Sequence, residues 1–329
     1  MLDKFNREIN YLRVSITDRC NLHCTYCRPK EGISLQGHDD ILRYEEIIRI
    51  VTVAVKMGLV KVRVTGGEPL VRRGFVSFIA ALKKINGLKD ISLTTNGILL
   101  EEFARDIFDA GVCRINISLD SLNKDKYFRI TNGGNLDAVL RGIARAEEIG
   151  FFPIKINTVA IKGFNDDEVL DFAQLAVNKP FQMRFIELMP VGQAKLDRED
   201  YMPTSQIIQK INERYELEKI KDKKNKSDGP AKIFKIKGGC GEIGFINPVS
   251  DHFCSTCNRL RLTSDGKLRV CLLKEDEVDL KKAMRENCSD AELAKLIHDA
   301  ILLKPKQHDL ICTEMHLKKC YRNMSEIGG

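Results

Sequence analysis

Six short β-rich runs recur through the first two-thirds of the chain, starting near Tyr11, Val60, Asp90, Arg114, Pro153 and Gln182, with helical periodicity between them at 44–57, 74–85 and 135–149. Several helical segments end at a glycine that is followed at once by the next strand, at Gly58, Gly111 and Gly150. A glycine there can take the left-handed conformation that stops a helix. Strands that alternate with helices imply a parallel sheet. Six such units predict a curved, incomplete (β/α)6 TIM-like barrel in an α/β fold, with a doubly wound open sheet as the alternative. After about residue 215 the pattern changes to a charged run at 219–226, then short strands, a hairpin and a helix-rich tail. The expected division is a barrel domain at 1–215 and a smaller α+β domain at 216–329 that closes the cavity. The charged run reads as a solvated loop.

Composition narrows the class. The 329 residues are 43% hydrophobic, which suffices for a sizeable core, and no stretch approaches the roughly 18 consecutive apolar residues of a membrane span. Charged residues interrupt the first twenty positions before a secretory leader can form. Eleven cysteines in such a chain predict reduced thiols or metal ligation in a cytoplasmic protein. The net charge of +7 suits an anionic substrate and is too small and dispersed to call for nucleic acid. No membrane partner is expected.

The unusual residues follow the strands. Segment 18–27 comes after the first, Gly66-Gly67-Glu68-Pro69 after the second, Thr94-Thr95-Asn96-Gly97 at the third, Ser118-Leu119-Asp120 at the fourth and Glu187-Leu188-Met189-Pro190 at the sixth. In a βα barrel the C-terminal strand ends converge on one face, where catalytic sites are built. The first of these segments holds Cys20, Cys24 and Cys27. Three close thiolates can hold three irons of a cubane and leave the fourth iron open to a small molecule. Zinc would want a fourth ligand, for which His23 competes.

Cys254, Cys257 and Cys271 form a second set of three. Between the last two, Asn258-Arg259-Leu260-Arg261-Leu262 runs through Ser264-Asp265-Gly266 into a returning strand. A three-residue loop with Gly266 left-handed puts Cys271 across from Arg259, so that Arg259, Arg261 and Cys271 share one face. A two-residue turn would put Cys271 opposite Leu260. Cys113, Cys240, Cys288, Cys312 and Cys320 read as structural or incidental, and Cys240 is the first to check.

The Cys-x3-Cys-x2-Cys loop, with Tyr26 inside it and Gly66-Gly67-Glu68-Pro69 after the second strand, resembles the radical S-adenosylmethionine superfamily. The segment from Arg13 to Asn21, the second triplet with Asn258, Arg259 and Arg261, and the terminal Gly328-Gly329 resemble more narrowly the GTP 3′,8-cyclases of molybdenum cofactor biosynthesis. That resemblance implies two 4Fe-4S clusters, with S-adenosylmethionine on the first and the guanine of GTP at the second. It also implies a lyase reaction. A 5′-deoxyadenosyl radical takes the ribose 3′ hydrogen, and the C3′ radical adds to guanine C8. Tyr26, Gly67, Thr94, Ser118 and Met189 become the implied S-adenosylmethionine contacts. Arg13, Arg63, Lys155, Arg259, Leu260 and Arg261, with Lys61 and Arg184 as weaker candidates, become the implied GTP contacts. Arg259, Arg261 and the diglycine pair Gly328 and Gly329 are the implied catalytic set. An electron donor, a next enzyme acting on the cyclic product and a homodimer are the implied partners. The rival enzyme reading is a radical S-adenosylmethionine peptide or protein maturase with an auxiliary cluster. A basic zinc-binding nucleic-acid module is the rival from another class.

Overall fold

The computed structural model of the chain describes residues 1–28, 35–191, 198–220, 229–308 and 322–328. Six strands, β1 (Tyr11–Ser15), β2 (Lys61–Thr65), β3 (Asp90–Thr95), β4 (Arg114–Ser118), β5 (Ile154–Ala160) and β6 (Gln182–Glu187), lie side by side in chain order and all run parallel. Each starts within one residue of its predicted position. Helices α1 (Tyr44–Lys56), α2 (Phe75–Lys83), α3 (Leu100–Asp109), α4 (Lys124–Thr131), α5 (Leu136–Ile149) and α6 (Val169–Asn178) alternate with them. The strand order never reverses, which removes the doubly wound alternative. Gly58, Gly111 and Gly150 all have positive φ, as their helix-stopping role requires.

The sheet does not end at these six strands. After α7 (Thr204–Asn212) come β7 (Leu217–Lys219), β8 (Lys232–Ile236) and β9 (Glu242–Ile246), and β9 pairs parallel with β6. At the other edge β10 (Arg259–Leu262) pairs parallel with β1 and continues antiparallel into β11 (Lys267–Arg269) and β12 (Glu277–Asp279). The strands after residue 215 therefore extend one sheet at both edges. Helices α8 (Leu280–Arg285), α9 (Asp290–Leu302) and α10 (Met324–Ile327) complete the described chain.

Alternation decides which face is which. Leu12, Val14, Val62, Val64, Leu93, Ile115, Ile117, Ile156, Met183 and Phe185 are buried in the apolar core with residues of the helical layer. The opposite faces of the same strands carry Tyr11, Arg13, Arg63, Thr94, Ser118, Asn157 and Arg184, which line a cavity. Each fully buried aliphatic side chain contributes roughly 1.5–3 kcal/mol, so the apolar face drives the sheet onto its helices. The polar face is left free for ligands.

The attachment of β9 rests on aromatic packing. Phe245 stacks on Phe185 of β6 at 6.2 Å, Phe185 meets Phe172 of α6 edge-on at 6.3 Å, and Phe234 of β8 meets Phe245 at 5.5 Å. Truncating Phe245 to Ala should cost about 3–5 kcal/mol through lost burial and the cavity left behind. Equilibrium urea unfolding should show a lower midpoint at unchanged slope. A loss below about 1 kcal/mol would mean that β9 is not docked in this way.

Candidate active site

A cavity of about 280 Å³ occupies the concave side of the sheet, and all six cysteines of the two triplets line it. The topology places the triplets at opposite ends of the parallel strands. Cys20, Cys24 and Cys27 follow the C-terminal end of β1. Cys254 and Cys257 precede β10, which is parallel to β1, and Cys271 follows β11, which is antiparallel to β10. The second triplet thus lies at the N-terminal end. Four to five residues of strand at ~3.3 Å each separate the two sites by roughly 15 Å.

The first triplet sits on a loop whose backbone is pinned from two sides. His23 and Thr25 donate N–H groups to the carbonyls of Thr131 and Ile130 at the end of α4, at 3.1 and 2.9 Å. On the other side Gly67 donates to Thr17 O at 2.7 Å and Glu68 to Arg19 O at 2.8 Å. A Cβ on Gly67 would stand 2.3 Å from Arg19 O. The glycine is therefore needed for close packing against the cysteine loop. Glu68 is fully buried and accepts from Leu70 N at 3.0 Å, Thr95 Oγ1 at 2.8 Å and Asn96 N at 2.7 Å. Burial still pushes its carboxyl up to about 7 against those bonds. Asn96 in turn reaches Cys20 Sγ at 3.7 Å.

Tyr26 donates to Asp120 at 2.7 Å, and Asp120 accepts from Val159 N at 2.8 Å. Burial raises Asp120 to about 6 despite both bonds. Tyr26, Gly67, Thr94, Ser118 and Met189 all line the cavity. The Thr94 hydroxyl and the Asn157 amide oxygen are buried there without a hydrogen-bond partner among the described residues, as polar groups awaiting a ligand would be. His23 is exposed and does not line the cavity.

Two of the second triplet, Cys254 and Cys257, hang on the segment 247–258, which crosses from β9 at one edge of the parallel run to β10 at the other. Its start is held by Glu187 at the end of β6. This buried carboxylate accepts from Val249 N at 3.1 Å and Ser250 N at 3.0 Å, from the Ser250 hydroxyl, and from Thr204 N and Oγ1 at 3.0 Å. The hairpin takes the three-residue form: Arg261 pairs with Arg269, Leu262 with Leu268, and Gly266 has φ 84°. Extending that register sets Arg259 across from Cys271, on the face of Arg261. Burial pushes the Cys257 thiol up, but the Arg259 and Lys304 cations outweigh it and bring it down to about 6. Leu260 points the other way, into the apolar core, because side chains alternate along β10. Only its backbone is available to a substrate.

The cavity walls between the triplets are cationic. Arg13, Arg63, Arg184, Arg259 and Arg261 line it. Burial and the neighbouring Arg63 lower Arg184 to about 9, and burial and Arg259 lower Arg261 to about 10. Lys155 is buried behind them, and burial with Arg184 and Arg63 lowers it to about 6. Lys61 is also outside the lining and pairs with Asp90 at 2.9 Å. Like charges crowded in this way favour a polyanionic ligand. The tail enters here too: Arg261 donates to Gly328 O, and Ser325 lines the cavity. Gly329, Cys312 and Cys320 lie outside the described residues. Cys113 and Cys240 are exposed free thiols, and Cys288 is half-buried.

The thiols fit iron–sulfur clusters. All six are free. In the first triplet burial comes first and the neighbouring thiols add to it, pushing Cys24 well up and Cys27 up to about 12. Iron would relieve that repulsion by holding the sulfurs as thiolates. Among the described residues no three His, Cys, Asp or Glu side chains are grouped to hold a single metal ion.

Sequence reasoning passed over Asp120, Glu187, Arg7 and Lys304 as functional residues, and Glu68 as more than a motif letter. Glu68, Asp120 and Glu187 stood inside the quoted strand-end motifs, which was their only signal. Arg7 and Lys304 carried none.

Two family models divide the chain: the Radical SAM superfamily matches residues 14–176 and Molybdenum Cofactor Synthesis C matches residues 181–310. The GTP 3′,8-cyclase of Moorella thermoacetica is 49% identical, and that of Alkaliphilus oremlandii 48%, each over 100% of both chains. Streptococcus suis SuiB bound to S-adenosylmethionine superposes with a TM-score of 0.58 at 13% identity, over 97% of this chain and 77% of that one. SuiB bound to its precursor peptide gives the same score and identity over 96% and 75%. At such identity the likeness speaks for the fold alone.

Replacing Gly67 by Ala should push the cysteine loop off its seat on 17–19. After anaerobic reconstitution the variant should lose the iron bound at the first triplet. Full iron content would show that the contact to Arg19 is dispensable.

Proposed function

Because the chain belongs to the GTP 3′,8-cyclase family of radical S-adenosylmethionine enzymes, we propose that it converts GTP to (8S)-3′,8-cyclo-7,8-dihydroguanosine 5′-triphosphate for molybdenum cofactor biosynthesis. The observation that carries this reading is one cavity with a thiol triplet at each end of its strands and a cationic band between them. When bound, the first cluster and S-adenosylmethionine supply a deoxyadenosyl radical, and a second 4Fe-4S cluster supplies a metal anchor for the guanine. Cys20, Cys24 and Cys27 hold the first, and Cys254, Cys257 and Cys271 hold the second.

The rest falls to this chain's residues. Thr94, Ser118, Tyr26, Met189 and the Gly67 backbone surround S-adenosylmethionine at the C-terminal end. Arg13, Arg63, Arg184, Arg259 and Arg261, with the buried Lys155 and Lys61 behind the lining, neutralise the triphosphate. Leu260 contributes backbone only. Arg261, by holding the Gly328 carbonyl, brings the diglycine end toward the reacting centre. Residues 1–215 and 216–329 act as two functional halves of one sheet. A reductant, a next enzyme consuming the cyclic product, a homodimeric state and a cytoplasmic setting complete the proposal. Among the described residues no helix is long and apolar enough to cross a membrane. The likeness to SuiB gives the maturase alternative a shared fold and nothing more.

The direct test is anaerobic incubation of the reconstituted chain with GTP, S-adenosylmethionine and dithionite, followed by mass analysis. Replacing Cys20, Cys24 and Cys27 should abolish 5′-deoxyadenosine. Replacing Cys254, Cys257 and Cys271 should keep reductive cleavage of S-adenosylmethionine and abolish cyclisation. Normal cyclic product from the second variant ends the two-site reading.

Arg259→Ala and Arg261→Ala should each lower cyclisation by roughly 10-fold or more, the loss expected for one charge-assisted contact. Lysine should recover part of it, because it keeps charge but lacks the planar fork. Iron content should not change. Turnover at the unaltered rate in both alanine variants would remove the arginines from the site.

A further inference from the structure

Lys304 lies two residues beyond α9, with 2% of its surface exposed. Its ammonium donates to Arg259 O at 2.9 Å and Val270 O at 2.5 Å. Arg259 stands two residues after Cys257, and Val270 directly precedes Cys271. The β10–β11 ladder runs only as far as Arg261 and Arg269, so the ammonium ties the two strands together where they separate to present their thiols. Burial lowers the Lys304 ammonium from its ordinary value, and the Cys257 and Cys271 thiols act against that by favouring its charged form.

Its neighbour Arg7 makes an instructive contrast. Arg7 also touches this site, donating to Cys254 O at 2.7 Å and Pro305 O at 2.7 Å, but it is paired with Asp3 at 2.6 Å. The Arg7–Asp3 pair carries no net charge. Among the described residues no carboxylate pairs with Lys304, whose recorded acceptors are the two carbonyls. A buried ammonium without a carboxylate is costly unless some other anion compensates it. The anion at hand is the thiolate set, and Arg259, the other cation beside it, faces the cavity.

We propose that Lys304 is the strut and fixed counter-charge of the second thiol site, holding Cys257 and Cys271 in register and raising the reduction potential of the cluster bound there. The inference rests on the reading that this triplet carries an iron–sulfur cluster. Reduction adds negative charge to a site that is already anionic, and a fixed cation in low dielectric favours the reduced state. Lys304 touches neither substrate nor reacting atoms, so it is a positioning residue.

The test uses the full chain with Cys20, Cys24 and Cys27 replaced by Ala, so that only the second site loads. After anaerobic reconstitution with iron and sulfide this parent should hold about four irons. Its potential is then read by electron paramagnetic resonance during a redox titration. Lys304→Met keeps length and removes charge, and it should shift the potential to more negative values. Lys304→Arg should stay near the parent. A methionine variant that fails to load, beside an arginine variant that loads, also supports a requirement for charge. Loading of the methionine variant at the parent's potential overturns the proposal, as does failure of both variants to load. A parent that binds no iron overturns the cluster reading first, and this inference with it.

Discussion

The sheet curls but does not close. β1 and β6 are not paired to each other; β1 takes β10 and β6 takes β9, both parallel, and each extension folds back into an antiparallel pair. A strand edge left bare would offer unpaired N–H and carbonyl groups to other chains, and these additions cover both edges of the six-stranded run. Because β9 and β10 are consecutive strands at opposite edges, the chain between them must cross the opening. That crossing carries Cys254 and Cys257. An open barrel therefore leads directly to a cavity with thiols at both ends of its strands. A closed barrel of this kind fills its interior with packed side chains and builds its site from loops at one face.

The interior also departs from an ordinary barrel in charge. Arginines from β1, β2, β6 and β10 line it, while carboxylates at the N-terminal ends of β3 and β9 are engaged with other residues: Asp90 pairs with Lys61 and Arg114, and Glu242 accepts from Gln182. The lowered values of Arg184, Arg261 and Lys155 share one cause, cations buried beside cations. Such an interior is destabilising by itself. It is tolerated because the apolar face of the same strands is packed against the helical layer, where Leu12, Val62, Leu93, Ile117 and Met183 are almost fully buried.

Much of this was legible from residue order because periodicity carries over into structure without tertiary help. The six strand starts, the glycine helix stops and the three-residue hairpin loop each depend on a few consecutive residues. The parallel docking of β9 and β10 was not legible, since a four- or five-residue strand does not announce its partner. The site divided along the same line. Cysteines and arginines stand out by type and spacing, and resemblance could assign them ligands. Leu260 could not be placed until alternation along β10 turned its side chain into the core. Gly67 stood out as an implied S-adenosylmethionine contact, but its close packing against Arg19 O was not legible. Lys304 and Arg7 act through long-range contacts, Lys304 to residues 45 and 34 positions away and Arg7 to residues 247 and 298 positions away, and no local pattern encodes those.

Two buried carboxylates show how the scaffold keeps both thiol sites in place without touching either. Glu68 follows β2 and gathers Leu70, Thr95 and Asn96, fixing the loops beside Cys20. Glu187 ends β6 and gathers Thr204, Val249 and Ser250, fixing the root of the crossing segment. In each, one side chain satisfies three or more donors from separate parts of the chain, each bond contributing on the order of 1 kcal/mol. Removing either carboxylate would strand several buried donors at once, which costs more than the bonds were worth singly. Cysteine placement thus depends on acids at the strand ends, and those acids depend on the parallel run that stacks the ends at one level.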